Sequence, residues 1–193
     1  MEFPIISWSS IFVFIAGLFI AFAQVRYIID TFKRKVKPSL LSWLGWAMLM
    51  GTSLISVCIS EGWNQSLTGL LISTLGCLTV AILSFVIKNY SLQKVDWNFL
   101  LAGGCCMILY LSTNNPWATT LFAIAADFAL AIPTFIKASK NAGSEKSTSW
   151  IFGFISWAIT LLISLQQDII YILWPLYLFG FNATMLYLSY FRK

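Results

Sequence analysis

Histidine is absent from the 193 residues. With it go the commonest metal ligand and the commonest general base. The four cysteines, Cys58, Cys77, Cys105 and Cys106, lie inside apolar runs without metal-ligand partners. They read as small packing residues rather than as a zinc site or a disulfide framework. No Gly-rich phosphate loop and no serine elbow is present, so hydrolase and kinase machinery is missing. The chain is read as not an enzyme, and no cofactor is expected. Charge is scarce too, at 10% of residues, against about 25% in soluble domains.

What the chain has instead is apolar length: 59% of its residues are hydrophobic. At about 20 residues per membrane span, it accommodates seven spans and little else. They fall near 8–30, 40–60, 66–88, 97–113, 117–137, 149–166 and 169–190. The N-terminal stretch MEFPIISWSS has no positive segment and no small-residue cleavage site, so the first span is read as retained.

The net charge of +5 does not indicate nucleic acid, because the cations segregate by loop. Lys33, Arg34, Lys35, Lys37, Lys88, Lys94, Lys137, Lys140, Lys146, Arg192 and Lys193 lie in alternate gaps or at the C-terminus, and Arg26 lies in the last turns of span 1. The opposite gaps, SEGWNQ, STNNP and LQQD, contain no Lys or Arg. The positive-inside rule then places the C-terminus in the cytoplasm and the N-terminus outside, in the cell (inner) membrane. Trp8, Trp63, Trp97 and Trp117 stand near span ends, as an interfacial belt requires.

The chain also repeats itself. AQVRYIIDTFKRKVKPSLLSW (23–43) and ADFALAIPTFIKASKNAGSEKSTSW (126–150) each run from an apolar helix through Thr-Phe into a Lys-rich loop. Each then enters a new helix at Ser-Trp. Aligning Thr31 with Thr134 pairs span 1 with span 5 and span 2 with span 6, while LSFVIK (83–88) pairs loosely with LSYFRK (188–193). Span 4 is left as a single connector, which makes the two units parallel. The expected fold is an all-α membrane protein of seven transmembrane helices. Two three-helix bundles, 1–90 and 115–193, are joined by a linker helix at 91–114, in a 3+1+3 layout. Parallel repeats put a binding site between them near mid-membrane.

The second copy carries Ile132-Pro133-Thr134, Lys137, Lys140, Lys146-Ser147-Thr148-Ser149 and Trp157. Together with the 3+1+3 layout and the outside N-terminus, this resembles the PQ-loop superfamily, which includes the SWEET sugar transporters. Thr134 stands where that family's motif has Gln, and the first copy reads Asp30-Thr31 in place of Pro-Gln. The resemblance implies alternating-access transport of a small solute. The same fold also serves vitamin-precursor permeases, amino-acid exporters and a sorting receptor, so fold alone does not select among them.

Asp127 is the sharpest candidate residue. It precedes Lys137 by ten residues, about 15 Å of helix, which is mid-depth in a core of about 30 Å. A carboxylate there lines a pathway or relay unless it only locks helices together. Gln24 occupies the matching place in the first copy. Asn182 lies at similar depth opposite Cys77, and resembles the asparagine with which SWEET-like proteins contact substrate; the alternative is an interhelical hydrogen bond. Trp46 and Trp157 lie about 13–16 Å below the nearest loop lysine and offer flat walls to a ring-shaped solute, or simple packing. Trp43 and Trp150, next to the basic loops, read as belt residues. Pro133 is a candidate hinge. Arg26 and Asp30, four apart, read as an ion pair or gate. Gly103-Gly104 offers a close helix contact.

These readings converge on a transporter of a neutral or zwitterionic solute, such as a sugar, an amino acid or a vitamin precursor. Asp127 is the proton-coupling candidate, and Gln24, Asp127, Asn182, Trp157 and Trp46 are the substrate contacts. The alternative is a membrane receptor or a sorting or assembly subunit with the same fold. The expected partners are a small-molecule substrate and the lipid bilayer, with no nucleic acid; homo-oligomerisation is left open.

Overall fold

The computed structural model describes residues 8–63 and 68–191. The side chain of Trp8, Asn64 and Gln65 of the second gap, and the terminal Arg192 and Lys193 lie outside the described residues. Among the described residues seven α-helices follow one another: α1 (Trp8–Phe32), α2 (Leu40–Glu61), α3 (Thr68–Val86), α4 (Lys94–Ser112), α5 (Pro116–Lys140), α6 (Ser149–Ser164) and α7 (Ile169–Leu186). A short 3-10 helix (Ala142–Glu145) bridges α5 and α6, and a π-helical turn (Tyr187–Phe191) extends α7.

The helix starts follow from local chemistry. Asn115 Oδ1 accepts hydrogen bonds from the backbone N–H groups of Trp117 (2.9 Å) and Ala118 (3.3 Å), with Pro116 at the first helical position of α5. Asp96 accepts from the backbone of Gln93 at 2.9 Å, which draws the start of α4 back to Lys94, three residues before the expected span. Capping of this kind satisfies donors that the first turn cannot pair internally.

Among the described residues six helices are long and apolar enough to cross a membrane, and the chain is a multi-pass membrane protein on that ground. The seventh, α6, is apolar but has 16 residues, about 24 Å of helix. The expectation of seven full-length spans is thus met by six and a shorter one. The difference arises at Leu165–Asp168, where turn residues end α6 before the apolar run does. Large apolar side chains such as Phe14, Phe22, Ile59, Leu101 and Leu162 face outward. In water such a surface would be a liability, whereas in a bilayer it is the solvent-facing surface.

α1 packs on α3 and α6, α2 on α3, α4 and α5, α4 on α5, and α7 on α5 and α6. Leu130 of α5 is the wedge between α2 and α4. A Cβ at Gly103 would lie 2.9 Å from Leu130 Cγ and 3.3 Å from the Ala126 carbonyl, so α4 approaches the α5 backbone there. Gly104 has open space around it. Of the two glycines singled out in the sequence, one makes the contact.

Candidate functional site

Asp127 lies midway along α5 and is 2% exposed. Tyr177 of α7 donates its hydroxyl proton to Asp127 Oδ2 at 2.6 Å, and the indole of Trp46 on α2 reaches the Asp127 carbonyl at 3.5 Å. Cys77 of α3 is buried, next in the chain to Gly76. Gln24 packs flat against Gly76, where any Cβ would collide with its amide. Its Oε1 is buried and receives no hydrogen bond. Among the described residues, Gln24 and Asp127, the polar residues that the repeat matches, share no hydrogen bond: Asp127 is held by Tyr177 and Trp46, and Gln24 packs on α3.

Tyr177 escaped the sequence reading. The available signal was its spacing: Tyr177 and Phe181 stand four apart and share a helix face. Asn182 points elsewhere. Its Nδ2 donates to the Leu178 carbonyl one turn back at 2.8 Å, and its Oδ1 packs against Gly153 of α6. That hydrogen bond lies within α7, so among the described residues the interhelical bond expected as the alternative is not formed, and Asn182 meets α6 by packing alone. Trp157 is half-buried on α6 and makes no ring contact with the central aromatic cluster.

That cluster is a closed ring of five side chains. Successive centroids lie 4.3 Å (Tyr27–Trp43), 5.3 Å (Trp43–Trp46), 5.7 Å (Trp46–Phe181), 5.8 Å (Phe181–Trp150) and 5.6 Å (Trp150–Tyr27) apart. Trp43 and Trp150 therefore are not belt residues: both are buried. The reason is that the basic loops fold inward over the end of the bundle. Val36 and Pro38 from one loop and Glu145 from the other are buried there, so the indoles lie beneath a lid instead of at the lipid interface. Trp63, Trp97 and Trp117 are exposed near helix ends, as a belt requires.

The lid is polar. Glu145 is fully buried; Tyr27 donates to its Oε2 at 2.6 Å, and Lys137 forms an ion pair with its Oε1. Lys137 also donates to the carbonyl of Lys37. The backbone N–H of Lys37 donates to the Ser144 carbonyl at 2.8 Å. Ser147 donates to Asp30 Oδ2 at 2.8 Å, and the expected Arg26–Asp30 pair is formed at 3.2 Å. Every link except Arg26–Asp30 and Lys137–Glu145 joins residues 27–37 to residues 137–147. Glu145 escaped the sequence reading because an acid in a lysine loop looks like a solvated countercharge. Thr31 and Thr134, the residues that align the repeat, are both fully buried, and their hydroxyls find no partner. Buried polar groups without partners are costly, at about 1–3 kcal/mol each.

Pro133 lies inside α5, as expected, and Pro175 lies inside α7. Each removes a backbone hydrogen bond from its helix. A groove of about 650 Å³ runs between these two helices, lined by Phe128, Phe135, Tyr177, Gly180, Phe181 and Leu188 among others. It reaches Asp127 through Tyr177. Among the described residues, no cluster of three His, Cys, Asp or Glu is placed to hold a metal ion.

Compared with protein-family models, curated proteins and solved structures, the chain matches none of them.

Proposed function

We propose that this protein is an alternating-access transporter of a small neutral or zwitterionic solute, with the PQ-loop-like 3+1+3 layout. The observation that carries the reading is Asp127: a buried carboxylate, midway along its helix, held by Tyr177 and with the Trp46 indole at its carbonyl. Such a residue in a membrane core belongs to a substrate or proton pathway.

The helix pairings support two units. Exchanging α1 with α5, α2 with α6 and α3 with α7 turns α1–α3 into α5–α7, α2–α3 into α6–α7, and α1–α6 into α5–α2, all of which are packed pairs. α4 stands outside this exchange, as a linker would. The loop charges support an outside N-terminus and a cytoplasmic C-terminus in the cell membrane.

In this scheme the lid is the closed cytoplasmic gate, built on Tyr27–Glu145, Ser147–Asp30 and the Lys37 contacts. Opening it rehydrates the buried hydroxyls of Thr31 and Thr134, which offsets part of the cost of breaking the links. Pro133 and Pro175 let α5 and α7 bend as the units rock. Substrate sits against Gln24, Trp46, Asp127 and Tyr177, and Asp127 takes up a proton in one state. Asn182 and Trp157, kept from the sequence reading, would contact substrate only after a rearrangement of α6 and α7.

The filled aromatic ring favours a second reading, a receptor of the same fold that binds without transport. A thermal-shift screen against sugars, amino acids and vitamins identifies a stabilising solute, and proteoliposomes then test its uptake. Saturable uptake is expected, with a pH dependence that Asp127→Asn abolishes. Uptake with unchanged pH dependence in Asp127→Asn ends the coupling idea; binding with no uptake favours the receptor.

A further inference from the structure

α1 and α3 end in the same cap. At the end of α1, the N–H of Lys35 donates to the Asp30 carbonyl (2.8 Å) and that of Arg34 to the Thr31 carbonyl (2.9 Å). At the end of α3, Asn89 donates to Ser84 (2.9 Å) and Lys88 to Phe85 (3.1 Å). These are paired Schellman closures, which place one residue in the left-handed region, usually glycine. Here the residues are Arg34 (φ 55°) and Lys88 (φ 52°). A long side chain at that position carries a steric penalty that glycine avoids. Both helices accept the penalty, and both do so for a cation.

The two caps are joined. Arg34 Nη2 donates to the carbonyl of Ile87, next to Lys88, at 3.1 Å. Asn89 donates to the Val36 carbonyl at 2.8 Å, and Ser91 donates to the Pro38 carbonyl at 2.7 Å. The remaining guanidinium donors of Arg34 are left for another acceptor. Lys33, Arg34, Lys35 and Lys88 are all exposed and form no ion pair among the described residues. Just below them, Phe32, Phe85 and Val86 are exposed at 67%, 61% and 68% on the lipid-facing surface. The α5–α6 loop lacks this arrangement. Lys137 is consumed by Glu145, Lys146 stands over the Tyr190 ring at 5.6 Å, and α5 ends at Asn141 with φ −147°.

We propose that the joined caps of α1 and α3 bind the headgroup of an anionic phospholipid. Arg34 and Lys88 grip the phosphate, Lys33 and Lys35 add charge, and the acyl chains lie against Phe32, Phe85 and Val86. The proposal does not rest on the transport reading. A helix C-terminus also favours a cation through its dipole, so the test must separate capping from lipid binding.

The double variant Arg34→Gly with Lys88→Gly does so. It removes both cations and relieves both left-handed residues, so the caps survive. Native mass spectrometry of the full chain in neutral detergent measures binding of phosphatidylglycerol and phosphatidylcholine. Affinity for phosphatidylglycerol should exceed that for phosphatidylcholine and should fall about tenfold or more in the variant. Lys94→Gln with Lys140→Gln, an equal charge loss elsewhere, should change it less than about twofold. Should the glycine variant unfold, Arg34→Asn with Lys88→Asn replaces it, since Asn tolerates the same backbone region. Unchanged binding in the cap variant, an equal loss in the control, equal affinity for phosphatidylcholine, or full competition by soluble glycerol 3-phosphate would each overturn the proposal.

Discussion

Asp127 and Glu145 are both carboxylates withdrawn from water, and they are held differently. Asp127 accepts a hydrogen bond from the Tyr177 hydroxyl and forms no ion pair among the described residues. Glu145 is locked by Lys137, Tyr27 and its own position under the lid. A buried pair of this kind contributes little net stability but is costly to break on one side only. Lys137→Met and Glu145→Met should therefore each destabilise the protein by about 3–5 kcal/mol, while the double variant loses less than either single one. Thermal or denaturant unfolding in one detergent checks this as a double-mutant cycle. Additive losses would show that the two side chains do not act as a unit. In sequence, Asp127 was legible because a charge amid apolar residues needs a reason. Glu145 was not, because burial of a loop residue depends on where the loop folds.

Among the helices, spacing in sequence located the elements and packing decided their contacts. Gly103 and Gly104 look alike as a pair of small residues. Only Gly103 faces Leu130 and the α5 backbone, because a helix turns about 100° per residue and one of two neighbours must point away. Gly103→Val should thus cost about 1–3 kcal/mol by forcing α4 off α5. Gly104→Ala should be neutral or slightly stabilising. The unfolding midpoints of the two variants distinguish them, and equal effects would contradict the packing. The same logic separates Phe181, which enters the aromatic ring, from its neighbour Asn182, which faces Gly153. Counting residues put Asn182 on the last span but could not say which way it turned, and it gave no sign that Phe181 enters the ring.

Across the whole molecule, polar links between the first and second halves of the chain gather at the end carrying the basic loops. Among the described residues the cross-links farther from that end are fewer: Trp46 to the Asp127 carbonyl, Ser156 to the Ala16 carbonyl at 2.8 Å, and Thr52 to Met107 Sδ at 3.7 Å. If the basic-loop end is the closed gate, Cys77 is a built-in reporter, a buried free thiol next in the chain to Gly76, on which Gln24 packs. In a protein with Cys58, Cys105 and Cys106 replaced by Ala, small thiol reagents should alkylate Cys77 slowly. Adding Tyr27→Phe and Ser147→Ala removes two of the cross-links and should raise that rate about tenfold or more, because each link is worth about 1 kcal/mol or more. An unchanged rate would mean that the lid does not govern access to the centre.

The sequence by itself determined the solvent and the elements: scarcity of charge excludes a soluble core, and the length of the apolar runs sets helices that cross a bilayer. It also carried the repeated Thr-Phe…Ser-Trp passage, whose alignment pairs Gln24 with Asp127. Which of the deep polar and aromatic residues meet was decided only by tertiary structure. Depth is a one-dimensional quantity that follows from counting residues, whereas facing depends on helix rotation and on the inward fold of two loops. Those loops moved Trp43 and Trp150 from an expected interface into the centre, and brought Glu145 out of water onto Lys137 and Tyr27.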